Sequence, residues 1–409
     1  MLQTLPLVFI LAGVALYVVL AGADFGAGIW QLLAGRGEHG EQIRDHAHHS
    51  MGPVWEANHV WLIFILTVSW TAYPVFLGSV ASTLAIPLAL AGLGIIMRGA
   101  GYALRSGAAN PGETRRIDQS LAVASLLTPF ALGAAAGAIA AERVPVGNAA
   151  GPLFSSWLNP TAILIGLLAV AFSAYVAAVF LAADAVRRDE AALAQAFRMR
   201  ALAAGAVAGA LAIAGLIVVA ADVPSLYTGL VHGAGLAALI VSGLAGILTL
   251  GLITAGRFEP ARYTAALAVA AVIAGWAFAR YPVLLPGLTV DQAAASHDTL
   301  VTLVVAVLAG GALLFPSLAL LFTLTLRGHL GEAGGGGGYV APAAAGRSTG
   351  PRRPAMVARL AVALLIVGVG LLNAADAAWA HAVGVISLFG FILVGFAAIV
   401  PGALADDRG

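Results

Sequence analysis

Four polar residues sit near the ends of two long apolar runs. They are Asp24 in "ADFGAGIW" (23–30) and Glu56, Asn58 and His59 in "GPVWEANHVWLI" (52–63). Glu56 and His59 are three residues apart and share one helix face. A carboxyl in low-dielectric surroundings favours its neutral form, and imidazole changes charge near neutrality. Such groups can pass a proton between them without either staying charged for long. The chemistry implied is proton transfer. No hydrolase triad, phosphate loop or nucleotide fingerprint accompanies these residues. A structural reading stands beside the functional one. Gly52-Pro53 can open a helix, where Pro fits the first turn and Glu56 would complement the helix dipole. Asp24 would then be an interfacial group reaching headgroup water.

The elements that must position these residues are membrane helices. Hydrophobic residues make up 61% of 409 positions and charged residues 10%, with a mean hydropathy of +0.97. A soluble protein carries about 25% charged residues, so the chain reads as an all-α polytopic membrane protein. It has no cysteine, which excludes disulfides, thiolate metal sites and iron–sulfur clusters. A net charge of +1 gives no reason to expect a nucleic-acid partner. About 20 apolar residues cross the hydrocarbon core. Eleven such runs are expected, at roughly 5–33, 53–73, 76–104, 118–141, 159–185, 200–221, 229–255, 263–280, 298–326, 357–373 and 382–401. They predict a nine-helix domain over 1–330, a Gly- and Pro-rich linker over 331–355 and a two-helix hairpin over 356–409. Abundant Gly and Ala allow close helix approach.

All twenty basic residues are Arg. Sorted by loop, only Arg143 and Arg280 fall on the side of the N-terminus, and the other eighteen, Arg98 among them, fall opposite. The positive-inside rule then predicts an outside N-terminus and a cytoplasmic C-terminus. Asp24 and the Glu56–His59 turn both lie near the cytoplasmic boundary. "LAGAD" resembles a signal-peptidase site after Ala23, but no basic n-region precedes it and cleavage would reverse the arginine asymmetry.

The stretch "GRGEHGEQIRDHAHHS" holds His39, His46, His48 and His49 and reads as a solvated loop rather than a metal site. His232, His297 and His381 lie near outer helix ends without the spacing of a haem site. Asp184 ends the fifth run much as Asp24 ends the first, with Tyr175 and Tyr17 about two turns earlier. A parallel duplication of four-helix units would explain this.

With "ADFGAGIW", "GPVWEANHVWLI", "WTAYP" (70–74), "LNPTAILIGLLAV" (158–170), "YPVLLP" (281–286) and "SHDTLVTL" (296–303), the chain resembles subunit II of cytochrome bd-type quinol oxidases over about residues 1–330. The resemblance implies two four-helix bundles plus one extra helix, with the C-terminal hairpin outside the family pattern. It implies a bacterial plasma-membrane subunit of a quinol:oxygen oxidoreductase with no complete active site of its own. Haems b and d, or b alone, would belong to a haem-bearing subunit I. The chain itself would hold at most a structural quinone or lipid. A small accessory subunit, the quinol pool and membrane lipids are further expected partners. Asp24 matches the acid of the family's Asp-x-Gly-x-Gly signature, and Glu56 matches an acid implicated in cytoplasmic proton entry. Asp24, Glu56, Asn58 and His59 thus form the expected proton pathway. Ala103 stands where some relatives carry a further acid. Two other readings stay open: a proton-coupled transporter, and a structural or assembly subunit.

Overall fold

The computed structural model describes residues 1–35, 37–105, 111–326, 353–374 and 378–405; within these, the side chains of 52–57, 105, 111–115, 315, 318–326, 353–358, 369–370, 372–374, 378, 381 and 395–405 lie outside the described set. The helices are α1 (Leu5–Leu32), α2 (Glu38–Ala72), α3 (Pro74–Thr83), α4 (Ala85–Arg105), α5 (Pro111–Ala140), α6 (Pro160–Arg187), α7 (Ala191–Asp222), α8 (Pro224–Leu230), α9 (Gly233–Thr254) and α10 (Phe258–Arg280). A two-stranded hairpin, β1 (Val283–Leu285) and β2 (Leu288–Thr289), precedes α11 (Val290–Ala293) and α12 (His297–Leu326). Then come α13 (Arg353–Ala374) and α14 (Ala378–Ala405).

The chain is an all-α polytopic membrane protein. Among the described residues, eight helices are long and apolar enough to cross a bilayer. The expected runs at 53–73, 357–373 and 382–401 appear as shorter described apolar stretches, Asn58–Ala72, Arg359–Gly368 and Ala382–Val394. The expected run at 76–104 is two helices broken at Leu84. Pro87 lies just beyond the break, where its ring opposes the carbonyl of Thr83 and removes a helical hydrogen bond.

Two compact units result, Met1–Gly337 and Gly338–Gly409. In the first, α1, α2, α3–α4 and α5 form one quartet, and α6, α7, α9 and α10 form another. The quartets meet where α6 packs on α1 and α5, and α12 lies against α2. In the second unit, α13 packs on α14, with Gly368 against Leu388 and the backbone of Gly384. Of the expected linker, 331–352 lies outside the described residues and 353–355 already belong to α13.

Small residues set the α1–α6 distance. A side chain at Gly26 would overlap the backbone carbonyl of Ser173 and meet Ala177. One turn on, the Trp30 indole donates to the carbonyl of Ala174 at 2.8 Å. The α6 segment from Ala174 to Ala185 is buried almost throughout, so the two helices touch nearly backbone to backbone. Asn159 caps α6 by accepting from the Ala162 amide at 2.9 Å, and Pro160 fills the first helical position. That accounts for the "LNPT" stretch. Replacing Gly26 by Ala should destabilise the chain by about 1–3 kcal/mol through overpacking. Gly92→Ala, where a methyl group meets nothing within 4 Å, should be neutral or slightly stabilising. Thermal unfolding of the two variants in detergent checks the contrast.

Candidate functional site

Asp24 is fully buried and is not an interfacial group. Its partner is Arg98 of α4, itself only 2% exposed. Arg98 Nε donates to Asp24 Oδ2 at 2.7 Å, and Nη2 donates to Oδ1 and to the Asp24 backbone carbonyl at 2.5 Å each. The hydroxyl of Tyr102, one turn along α4, donates to Asp24 Oδ1 at 3.0 Å. Arg98 Nη1 donates to Ser125 Oγ of α5 at 2.6 Å, and that hydroxyl donates to the Leu121 carbonyl at 2.6 Å. The guanidinium lies 5.2 Å from the ring centre of Phe25 and 5.3 Å from that of Tyr102. A bidentate pair of this kind is neutral as a unit, and its polar atoms are satisfied where water is absent.

Gly28 explains how the guanidinium fits. A side chain there would overlap Ser125 Oγ and approach Arg98 Nη1 to 2.8 Å. The stretch "DFGAGIW" therefore gives each fixed residue a task. Asp24 pairs with Arg98, Gly26 admits α6, Gly28 admits the guanidinium, and Trp30 fastens α1 to α6.

The sequence counts Arg98 among the arginines of the cytoplasmic side, and the structure buries it inside the bundle. The signal was present, because Arg98 is a lone charge at the end of an apolar run, on the same boundary as Asp24. Tyr102 and Ser125 were missed for lack of any local signal; only the fold assembles them.

On α2, Asn58 is buried at 2% exposure and His59 is half-buried and engaged with neighbouring groups. Gly13 of α1 lies against Phe64 and Ile65. Counting along both antiparallel helices from that contact brings the backbone of position 56 to within about one turn of the level of Asp24. The side chain of Glu56 lies outside the described residues.

The histidine-bearing segment is not a solvated loop. It is helical, as the beginning of α2, and it packs on the bundle. His48 stacks on Tyr102 with ring centres 5.4 Å apart, which links it to the Asp24 site. His46 is buried. Among the described residues, no group of three or more His, Asp or Glu could hold a metal ion. His232 and His297 are exposed and occupied locally, by the Thr228 carbonyl at 2.8 Å and by Asp298 at 3.4 Å.

The second quartet carries a related charge site. Asp184 meets Arg187 and lies 3.8 Å from Arg262, which stacks over Phe180 at 4.4 Å. Glu259 joins both arginines, at 3.0 Å and 3.5 Å. Arg187 and Glu259 are about half exposed, so this network reaches solvent while the Asp24 pair does not.

Fold and site define a helical membrane protein of two packed quartets, with a buried acid–guanidinium pair at one end. The sequence matches the family described as cytochrome bd terminal oxidase subunit II over residues 2–325, and the chain belongs to that family. It is 30% identical over 117 residues to the cytochrome bd ubiquinol oxidase subunit 2 of Bacillus subtilis (strain 168), a stretch covering 29% of this chain and 34% of that relative. A chain in the solved structure of bd oxidase from Geobacillus thermodenitrificans matches the fold with a TM-score of 0.61 at 23% identity. That match covers 80% of this chain and 99% of the other.

Replacing Arg98 by Gln leaves a buried carboxylate without its counter-charge and should destabilise the chain by about 3–5 kcal/mol. Adding Asp24→Asn should recover a substantial part of that loss. Arg98→Lys should behave more like Gln, because one ammonium cannot span both carboxylate oxygens, the Asp24 carbonyl and Ser125. A double-mutant cycle on thermal unfolding, with coupling above about 1 kcal/mol, is the expected result.

Proposed function

We propose that this chain is the non-haem subunit of a bd-type respiratory terminal oxidase in a bacterial plasma membrane. That assembly oxidises quinol and reduces oxygen to water, and this subunit admits protons to a reaction centre held by a haem-bearing partner. The observation that carries the reading is a buried acid–base network in a chain whose residues 2–325 match the subunit II family. The arginine asymmetry of eighteen to two supports a cytoplasmic orientation for the Asp24 end. The haems, b and d or b alone, belong to the partner and supply electron transfer and oxygen reduction. The quinol pool, membrane lipids and a small accessory subunit complete the surroundings.

Within this proposal the four residues divide their work. Asp24 is held by three donors, so it acts as a fixed electrostatic post rather than a mobile carrier. The Tyr102 hydroxyl donates to Asp24 and accepts from Arg98, and the ring that carries it stacks on His48. Glu56 is the proposed proton-carrying carboxyl, with His59 three residues on along the same helix face and Asn58 in the same turn.

Affinity purification of the tagged chain from membranes should bring down a haem-bearing subunit, and the isolated chain should show no haem spectrum. In the assembled complex, Glu56→Gln should lower quinol-dependent oxygen consumption by about tenfold or more at unchanged haem content. Full consumption by that variant removes the relay role. Isolation of the chain without any haem partner removes the oxidase reading itself.

A further inference from the structure

Arg98, Arg143, Arg187, Arg262 and Arg280 each meet a carboxylate. Three half-buried arginines do not, among the described residues: Arg44, Arg198 and Arg200. Arg44 donates to the Gly35 carbonyl at 2.8 Å, and Arg198 to the Thr254 carbonyl at the end of α9 at 2.5 Å. Arg200 is different. Its Nη1 lies 3.1 Å from the Ala196 carbonyl, one turn back on its own helix. Its Nε and Nη2 are neither bonded among the described residues nor closed off from the surface.

Two aromatic rings hold this guanidinium. It lies 5.6 Å from the ring centre of Phe197 on α7 and 5.9 Å from that of Trp30 on α1. The Trp30 indole is itself fixed by its bond to the Ala174 carbonyl. Stacking engages the faces of a guanidinium and leaves its N–H edge open to acceptors. The open edge here, Nε and Nη2, is one that pairs with two oxygens of a single phosphate.

Depth identifies the kind of phosphate. At the other end of α7, Asp222 accepts from Thr161 Oγ1 in the first turn of α6 at 2.5 Å. Arg200 precedes Asp222 by 22 residues, about 33 Å along the helix and close to the thickness of the hydrocarbon core. The guanidinium therefore stands at the opposite headgroup layer, on the side that the arginine asymmetry assigns to the cytoplasm. Ala203 and Val207 follow at i+3 and i+7 and are exposed, an apolar stripe running from the guanidinium into the membrane.

We propose that Arg200, mounted on Trp30 and Phe197, binds the phosphate of an anionic phospholipid in the cytoplasmic leaflet, with an acyl chain along Ala203 and Val207. A free phosphate ion offers the same oxygens but nothing to lie on the stripe. This proposal does not rest on the oxidase reading.

The test uses the full-length protein, with any subunit that co-purifies, stripped of lipid in a neutral detergent. Phosphatidylglycerol and phosphatidylcholine are added in equal amounts, and native mass spectrometry counts what is retained. Wild type should hold about tenfold more of the anionic lipid. Arg200→Gln should lower that preference about fivefold. Arg198→Gln, which removes a guanidinium directed at α9, should keep it. Phosphatidylglycerol should also raise the thermal midpoint of wild type and not of Arg200→Gln. Ala203→Glu sets a carboxylate one turn away on the exposed face and leaves the stacked side chains in place; it should remove the preference as well. Equal retention of the two lipids by wild type overturns the site. So does either variant, at 200 or 203, that folds and keeps the wild-type preference. Inorganic phosphate at about 10 mM that reproduces the full thermal shift overturns the assignment to a lipid.

Discussion

Much of the first quartet is arranged around one charge pair. Burying Asp24 with Arg98 in a bilayer-spanning bundle is tolerable only if the carboxylate and guanidinium are almost fully satisfied by protein donors and acceptors. That demand reaches well beyond the two residues. It requires Ser125 on α5 to receive the remaining arm of the guanidinium and Tyr102 to complete the carboxylate shell. It requires no side chain at Gly28, and it draws α1, α4 and α5 to one point. Gly26 and Trp30 then carry the same helix onto α6, so the charge site and the joint between the quartets lie within two turns of each other.

The second quartet shows what happens when the same demand is relaxed. Asp184 also meets arginine and also has an aromatic ring beneath its arginine partner, though it lies three residues from the end of α6 and Asp24 eight from the end of α1. There the arginines are shared with Glu259, and the cluster reaches water. Exposed ion pairs contribute little to stability, whereas a buried pair is neutral only as long as both members remain. The likeness between the two ends, with Tyr17 and Tyr175 buried two turns earlier in each, fits a duplicated four-helix unit whose two copies have taken different electrostatic roles.

The apolar runs were legible because a bilayer leaves no alternative for an apolar stretch of about 20 residues. Asp24 and the glycines after it were legible as a motif, but their individual tasks were not. Those tasks depend on Ser173 and Ser125, which are about 150 and 100 residues away in sequence. The pairing of Arg98 was not legible, because an arginine at the end of an apolar run usually snorkels to headgroups and only the matching depth of Asp24 points elsewhere. The start of α2 was misread for the opposite reason. Its polar, histidine-rich composition reads as loop, yet Ile43, Ala47 and Met51 recur at a spacing of four and bury one side of a helix.

That stretch of α2 changes how the polar turn at 56–59 is understood. A loop ending at Pro53 would leave Glu56 in a first helical turn, where its service to the helix dipole would be a sufficient explanation. In the structure α2 begins at Glu38, so position 56 lies more than four turns inside a continuous helix and far from its N-terminal dipole. The capping explanation for Glu56 therefore fails. Position 56 lies instead two residues from buried Asn58 and about level with a carboxylate already committed to Arg98. A role at the helix end is thus removed at position 56, while Asp24, where the sequence motif is strongest, is already spent on Arg98.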